Sequence, residues 1–149
     1  AIDLEQVTRP VFIVGLNRTG TTLLHRLLAA DSATFRAPYM YEMMCPIDNT
    51  DDPDRYARPP SRDPRYLEVH ETVEMAKDQV GPSFQAIHPT AAHLPEEEFF
   101  FFEGSFLSHT YVVMAHAESY HAWLDSTAEK FTSHLAYDDH FARLQHLQW

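Results

Sequence analysis

The chain has 149 residues, of which 44% are apolar and 13% aromatic, so size and composition predict about one globular domain and exclude a disordered segment. Its formal net charge is −11, from 22 acidic and 11 basic residues, which argues against a nucleic-acid-binding surface. No apolar run approaches the roughly 20 residues of a membrane span. The one cysteine, Cys45, favours a reducing and therefore cytoplasmic location.

A short apolar run at residues 10–14 is followed by a loop with glycines at both ends and then by a helical pattern. The run is β-branched and aromatic, as in a buried parallel strand. Leucines then recur at helical spacing, which predicts a helix over residues 20–30 with one buried face. A strand that turns into a helix N-terminus brings backbone N–H groups and the positive end of the helix dipole to one point. The unit therefore predicts a phosphate-type anion site.

The residues of the loop narrow the range of possible ligands. Gly15 and Gly20 have the spacing of a nucleotide-binding P-loop, but Thr21 stands where that motif has its lysine. Without the lysine, the loop lacks the group with which a nucleotide hydrolase reaches a γ-phosphate. The groups that remain are one cation and three hydroxyls: Arg18, Thr19, Thr21 and Thr22. They suit a single terminal phosphate better than a triphosphate.

The next part of the chain predicts a second short strand, a surface loop and a helix. Residues 39–45 are apolar apart from Glu42, and residues 48–64 are rich in Asp, Arg and Pro. Asp63 and Pro64 provide an N-cap and a first helical residue. A stripe from residue 66 to residue 80 predicts a helix that ends at Gly81.

The remainder is predicted to be mostly helical. Residues 83–94 are irregular, and the three glutamates at 96–98 are interpreted as the solvated first turn of a short helix that begins at Pro95. The four phenylalanines at 99–102 are predicted to be core. Ser126 and Glu129 form a capping-box pattern that predicts the start of a last helix.

The loop and its flanks resemble those of sulfotransferases. Residues 17–22, Asn-Arg-Thr-Gly-Thr-Thr, are similar to the 5′-phosphosulfate loop of that family, which commonly has proline where Asn17 stands here. The helix that follows, Leu-Leu-His-Arg-Leu-Leu-Ala-Ala-Asp at 23–31, resembles that of the bacterial members. The likeness runs from about residue 10 to residue 149. It implies an α/β, P-loop-like three-layer sulfotransferase fold, here largely helical because only the N-terminal half is present.

This resemblance also implies a donor, an acceptor class and a domain assignment. Residues 1–149 would be the N-terminal part of a single sulfotransferase domain, inactive when isolated. The donor would be 3′-phosphoadenosine 5′-phosphosulfate, the product adenosine 3′,5′-bisphosphate, and the acceptor a hydroxyl of a small or lipid-like molecule, with no metal. The loop would bind the donor through six residues: Asn17, Arg18, Thr19, Gly20, Thr21 and Thr22.

Sulfuryl transfer to an alcohol also needs a base, and Glu42 is the preferred candidate. It lies where tyrosylprotein and heparan sulfotransferases, which resemble this chain, carry a catalytic glutamate. Independently, a lone carboxylate among tyrosines and methionines is expected to be partly desolvated, which raises its pKa toward useful base strength. Arg18 is the catalytic cation in this hypothesis. Histidine is the alternative base, and His88 and His93 are the candidates.

Two other functions stay open at this stage. A P-loop-type nucleotide kinase or phosphotransferase would share the strand–loop–helix pattern but should have a lysine at position 21. A nucleotide-binding module without turnover would need only the loop. The sequence contains no H-E-x-x-H motif or Cys/His cluster and therefore predicts no metal site.

Overall fold

In the part of the chain that it describes, the computed structural model consists of helices joined by non-helical segments, and its β-pairing is limited to an isolated bridge. The described residues are 2–16, 18–48, 50, 60–108, 110–127 and 133–148, without the side chains of residues 3, 80, 84, 113, 114 and 133. The α-helices in this part are α1 (Thr21–Ala29), α2 (Met40–Met44), α3 (Pro64–Ile87), α4 (Phe99–Glu103), α5 (Thr110–Met114), α6 (Glu118–Thr127) and α7 (Ser133–Gln148). Short 3₁₀ helices occur at Ile2–Leu4 and Pro60–Arg62. None of the described helices is both long enough and apolar enough to span a membrane.

The chain clusters into two compact units, and the first comprises Phe12–Glu96. Its core lies where α2 contacts α3. The side chains that are almost fully buried there are Met40, Tyr41, Met43, Val69 and Val73. Each such aliphatic side chain contributes about 1.5–3 kcal/mol through burial. This core fixes the position of α2, which carries Glu42.

The predicted start of α3 is confirmed. Asp63 is buried, and its Oδ1 accepts a hydrogen bond of 3.0 Å from the backbone N–H of Arg65, as an N-cap does. The Arg65 guanidinium also donates to both carboxylate oxygens, at 3.0 and 2.7 Å. The predicted end of the helix is wrong in part. Gly81 has non-helical angles, φ +77° and ψ +168°, but helical residues continue beyond it to Ile87.

The second unit comprises Ala1–Val11 and Glu97–Trp149. Its core contains Phe101, which is fully buried, together with Leu124, Ala136 and Leu147. The prediction of an aromatic core at residues 99–102 is confirmed for Phe101, whereas the other three phenylalanines are half-buried. α4 packs against α7 here.

The predicted strand at residues 10–14 is not formed. The segment has no strand partner among the described residues, and Val11, Phe12 and Val14 are exposed, Val14 by 92%. An extended segment becomes a strand only when neighbouring strands take up its backbone hydrogen bonds. The prediction that α1 buries one face is also wrong, since no residue of α1 is buried.

The second predicted strand, within residues 39–45, is an α-helix. Methionine and glutamate favour helix, and the run is too short for its apolar pattern to distinguish the two states. Tyr39 pairs with Pro95 in an isolated β-bridge, so only the residue that precedes α2 is extended and paired.

Two further predictions are wrong. Glu96 lies outside the described helices, because α4 begins at Phe99 and not at residue 95. Its side chain is also buried and not solvated. Ser126 lies inside α6 and donates its hydroxyl to the carbonyl of Trp123, so it does not cap a helix. Glu129, Trp149 and most of the predicted loop at 48–64 lie outside the described residues.

Candidate anion-binding site

The loop that leads into α1 is a tight turn with a separate reason for each of its glycines. Gly20 has a φ of +90°, in the left-handed region that favours glycine, and it is the N-cap of α1. At Gly15, an added Cβ would lie 2.8 Å from both Thr19 Oγ1 and Thr21 Cγ2, so a larger residue requires a shift. The Thr19 hydroxyl donates to the carbonyl of Leu16 at 2.6 Å and closes the turn.

The first turn of α1 supplies N–H donors next to this loop. The first backbone bond of the helix runs from the N–H of Leu24 to the carbonyl of Gly20, at 3.0 Å. The backbone N–H groups of Thr21 and Leu23 lie before that bond, at the N-terminus of the helix, where the ladder offers them no acceptor. An anion is favoured at such a point by the amides and by the helix dipole. The structure thus brings together the predicted ligands Thr19, Gly20, Thr21 and Thr22, whereas Asn17 lies outside the described residues.

Two arginines connect this loop and helix to a segment that is distant in sequence. Arg18 has a left-handed backbone, φ +66°, and its Nη1 donates to the carbonyl of Ile87 at 2.8 Å. The Nη2 of Arg26 donates to the carbonyl of Pro89 at 2.7 Å. A guanidinium has five N–H groups in a fixed plane. A bond from Arg18 to one carbonyl therefore orients the group and leaves other N–H groups for an anion.

Glu42, the predicted base, is 6% exposed and has both carboxylate oxygens engaged. Its Oε1 lies 2.7 Å from Nη2 of Arg36, and its Oε2 accepts a bond of 2.9 Å from the backbone N–H of Tyr39. The second contact is the glutamate half of a capping box at the start of α2. Burial of Glu42 agrees with the desolvation that the sequence predicted. The partner Arg36 was not predicted, because a spacing of six residues carries no helical or strand signal.

Titration of a neighbour of Glu42 is strongly perturbed. Burial raises the pKa of the Tyr41 hydroxyl well above its usual value, and the carboxylates of Glu42 and Asp63 raise it further. Tyr41 therefore stays protonated at neutral pH. A protonated phenol does not compete with Glu42 for the role of base.

Residues 87–96 connect the loop with α2. The carbonyls at 87 and 89 hold the two arginines, and Leu94 and Ala92 accept bonds from the N–H groups of Met40 and Tyr41, at 3.0 and 3.1 Å. The N–H of Glu96 donates to the carbonyl of Pro38 at 3.2 Å. Arg18 of the loop, Arg26 of α1 and the helix that carries Glu42 thus all contact the same ten-residue segment. The sequence does not reveal this relationship.

The two histidine candidates have different surroundings. Nε2 of His88 lies 3.3 Å from Oε2 of Glu96, whose side chain is 1% exposed. His93 is exposed, and its ring lies 6.4 Å from that of Tyr66. Of the two, His88 is the one that lies between the carbonyls of Ile87 and Pro89 and contacts a buried carboxylate. In the described part of the chain, no group of three His, Cys, Asp or Glu side chains could hold a metal ion.

A loop with glycines at both ends, a helix N-terminus and a loop arginine are features typical of anion-binding sites of the phosphate-loop class. The family model described as the Sulfotransferase family matches residues 10–145, which include every residue of this site. The chain belongs to the Sulfotransferase family, whose members transfer sulfuryl groups. Neither the curated proteins nor the solved structures gave a match.

Proposed function

We propose that this chain carries the donor-binding loop and the base of an enzyme that moves a sulfuryl group from 3′-phosphoadenosine 5′-phosphosulfate to a hydroxyl of a small or lipid-like acceptor. The observation that carries the proposal is the family match across a loop that leads through two glycines and an arginine into a helix N-terminus. The products are a sulfate ester and adenosine 3′,5′-bisphosphate. The bond between sulfur and the bridging phosphate oxygen breaks, and a bond between sulfur and the acceptor oxygen forms.

The loop residues 17–22 are proposed to bind the 5′-phosphate end of the donor. Negative charge builds on the bridging oxygen as it leaves, and the helix amides with Arg18 are placed to stabilise it. The carbonyl of Ile87 fixes one edge of the Arg18 guanidinium, at 2.8 Å. Because the group is oriented before the donor binds, less side-chain freedom is lost on binding.

Glu42 is proposed to accept the proton of the acceptor hydroxyl. A neutral alcohol is a poor nucleophile, so removal of its proton accelerates transfer. An ionised carboxylate has about four lone-pair sites, and the contacts to Arg36 and Tyr39 use two of them. Those contacts hold the carboxylate in one orientation and leave lone pairs for the proton. No metal is required in this scheme.

Substitution of the loop arginine tests the donor site. We expect Arg18→Ala to weaken the binding of adenosine 3′,5′-bisphosphate about 10- to 150-fold, because a charge-assisted contact contributes about 1.5–3 kcal/mol. Isothermal titration calorimetry on the intact protein measures this. Arg62→Ala removes an exposed arginine outside the loop and is the matched control.

The same titration separates the competing functions. A sulfotransferase should bind the bisphosphate more tightly than ATP, whereas a kinase or phosphotransferase should prefer ATP. Turnover with a labelled sulfate donor distinguishes an enzyme from a binding module. Unchanged bisphosphate affinity in a folded Arg18→Ala variant would contradict the assignment of the loop.

A further inference from the structure

Glu96 is a buried carboxylate for which the proposed reaction has no use. Its side chain is 1% exposed, and its Oε2 lies 3.3 Å from Nε2 of His88. We propose that Glu96 is a positioning residue of the donor site: it holds His88, and the backbone on both sides of His88 holds Arg18 and Arg26. This inference rests on the proposed function, since it assigns a further residue to the same anion site.

The argument begins with the arginines. Arg18 lies in the loop and donates to the carbonyl of Ile87, and Arg26 lies in α1 and donates to the carbonyl of Pro89. The two acceptors are the residues immediately before and after His88. A shift of the backbone at His88 therefore moves both acceptors and reorients both guanidinium groups.

The backbone at His88 transmits such a shift because it has little freedom of its own. The ring of Pro89 fixes its φ at about −65°, and the residue before a proline is biased toward extended conformations. A displacement of His88 is therefore passed to its flanking carbonyls more readily than in an unrestricted segment.

Glu96 is a suitable anchor for the imidazole. Its N–H donates to the carbonyl of Pro38 at 3.2 Å, and its carboxylate is shielded from water. Because the Glu96 side chain is almost completely shielded from water, its contact with His88 is screened less than a contact at the surface. The chain of contacts thus runs from Glu96 through His88 and two carbonyls to both arginines.

The positioning role of Glu96 is tested by whether its substitution weakens or strengthens the binding of adenosine 3′,5′-bisphosphate. Removal of a negative charge favours anion binding by direct electrostatics. Positioning predicts the opposite: Glu96→Gln should weaken adenosine 3′,5′-bisphosphate binding by about 5- to 20-fold, in the lower part of the usual range for energetic coupling. Glu98→Gln removes an equal charge from an exposed position two residues later and is the matched control. It should leave affinity unchanged or slightly tighter.

A double-mutant cycle with Arg18→Ala then shows whether Glu96 acts through the loop arginine. If it does, Glu96→Gln has a smaller effect once Arg18 is removed, whereas the effect of Glu98→Gln is the same in both backgrounds. Glu96→Asp keeps the charge and shortens the reach, and it should also weaken binding. It replaces Glu96→Gln in the cycle if that variant does not melt cooperatively.

Unchanged or tighter binding in Glu96→Gln, or full additivity with Arg18→Ala, would overturn the positioning role. If Arg18→Ala weakens binding while the Glu96 variants do not, the proposed function stands and only this inference fails. If Arg18→Ala itself has no effect, the assignment of the anion site fails first. The two failures are therefore distinguishable.

Discussion

Nη2 of Arg36 lies 2.7 Å from Oε1 of Glu42, and the two side chains differ sharply in exposure, at 48% and 7%. The arginine thus reaches from the surface to a carboxylate that is almost completely buried. Loss of one partner from such a pair leaves a buried charge without its counter-charge, which costs more than the pair itself contributes. The half-exposed position of Arg36 reduces that cost, since water screens the interaction.

Arg36→Ala should therefore lower the free energy of unfolding by about 1–3 kcal/mol. Urea denaturation followed by circular dichroism measures this, with Arg62→Ala as the exposed control. In a Glu42→Gln background the same substitution should cost much less, because the buried charge is gone. An equal cost in both backgrounds would mean that Arg36 stabilises the fold without its contact to Glu42.

The parts of the fold that could be predicted from sequence are those determined by local signals. The leucines at helical spacing after Gly20 predicted α1, and Asp63 with Pro64 predicted the start of α3, because helical periodicity and caps act over one or two helical turns. The strand at residues 10–14 could not be established in this way. A strand depends on partners elsewhere in the chain, and the described residues supply none.

In the candidate site, too, features with a local sequence signal could be predicted and contacts between distant residues could not. The loop ligands were predicted from the glycine spacing, the residue types and the resemblance to sulfotransferases, and burial of Glu42 from its apolar neighbours. The partner Arg36 and the buried state of Glu96 were missed. Glu96 stands in a run of three glutamates, a pattern typical of a solvated helix start, and only its contact with His88 distinguishes it. Such contacts between distant residues leave no periodic signal in the sequence.

Gly81→Ala should destabilise the protein by about 1–3 kcal/mol. With φ at +77° and ψ at +168°, Gly81 occupies a region that residues with a Cβ rarely adopt, while no atom outside the adjoining residues and nearby helix backbone lies within 4 Å of the added methyl. The whole cost is therefore backbone strain and not a clash. Thermal and urea unfolding measure it, with the exposed neighbour variant Gln79→Ala as control. A gain of about 0.4–1 kcal/mol, the usual effect in a helical backbone, would contradict this geometry.

His140 should make stability depend on pH in the mildly acidic range. Its ring centre lies 5.5 and 5.2 Å from those of Phe101 and Phe102. Burial lowers the pKa of His140. The carboxylates of Glu98 and Asp139 oppose this shift, and the Arg143 guanidinium adds to it. Below about pH 6.5 the unfolded chain binds a proton that the folded chain resists. The stability is thus fully present above that pH and is lost as the pH falls toward the lowered folded-state pKa.

Urea unfolding at several pH values between about 5 and 8 tests this effect of His140. His140→Phe keeps an aromatic ring and cannot titrate, so it should remove part of the slope of unfolding free energy against pH. One proton contributes at most about 1.4 kcal/mol per pH unit. His134→Gln replaces an exposed histidine of the same helix and is the control. An unchanged slope in His140→Phe would show that other groups cause the pH dependence.

Glu42→Gln should reduce turnover by about 10²–10⁴-fold in the intact protein, the usual contribution of a general base. The amide oxygen can still accept the bond from the N–H of Tyr39, but the side chain no longer accepts a proton at neutral pH. Affinity for adenosine 3′,5′-bisphosphate should hardly change, because Arg18 and the helix amides provide that contact. Single-turnover kinetics and calorimetry measure the two quantities separately.

Loss of structure could imitate this loss of turnover, since Glu42 also caps α2 and pairs with Arg36. Arg36→Lys is the matched control: it keeps a positive partner and the carboxylate, so it should retain most of the turnover. The histidine alternative makes the opposite prediction, in which His88→Asn abolishes turnover and Glu42→Gln does not. A Glu42→Gln variant with near wild-type turnover would leave the capping bond and the pair with Arg36 as the whole role of this glutamate, and His88 as the base.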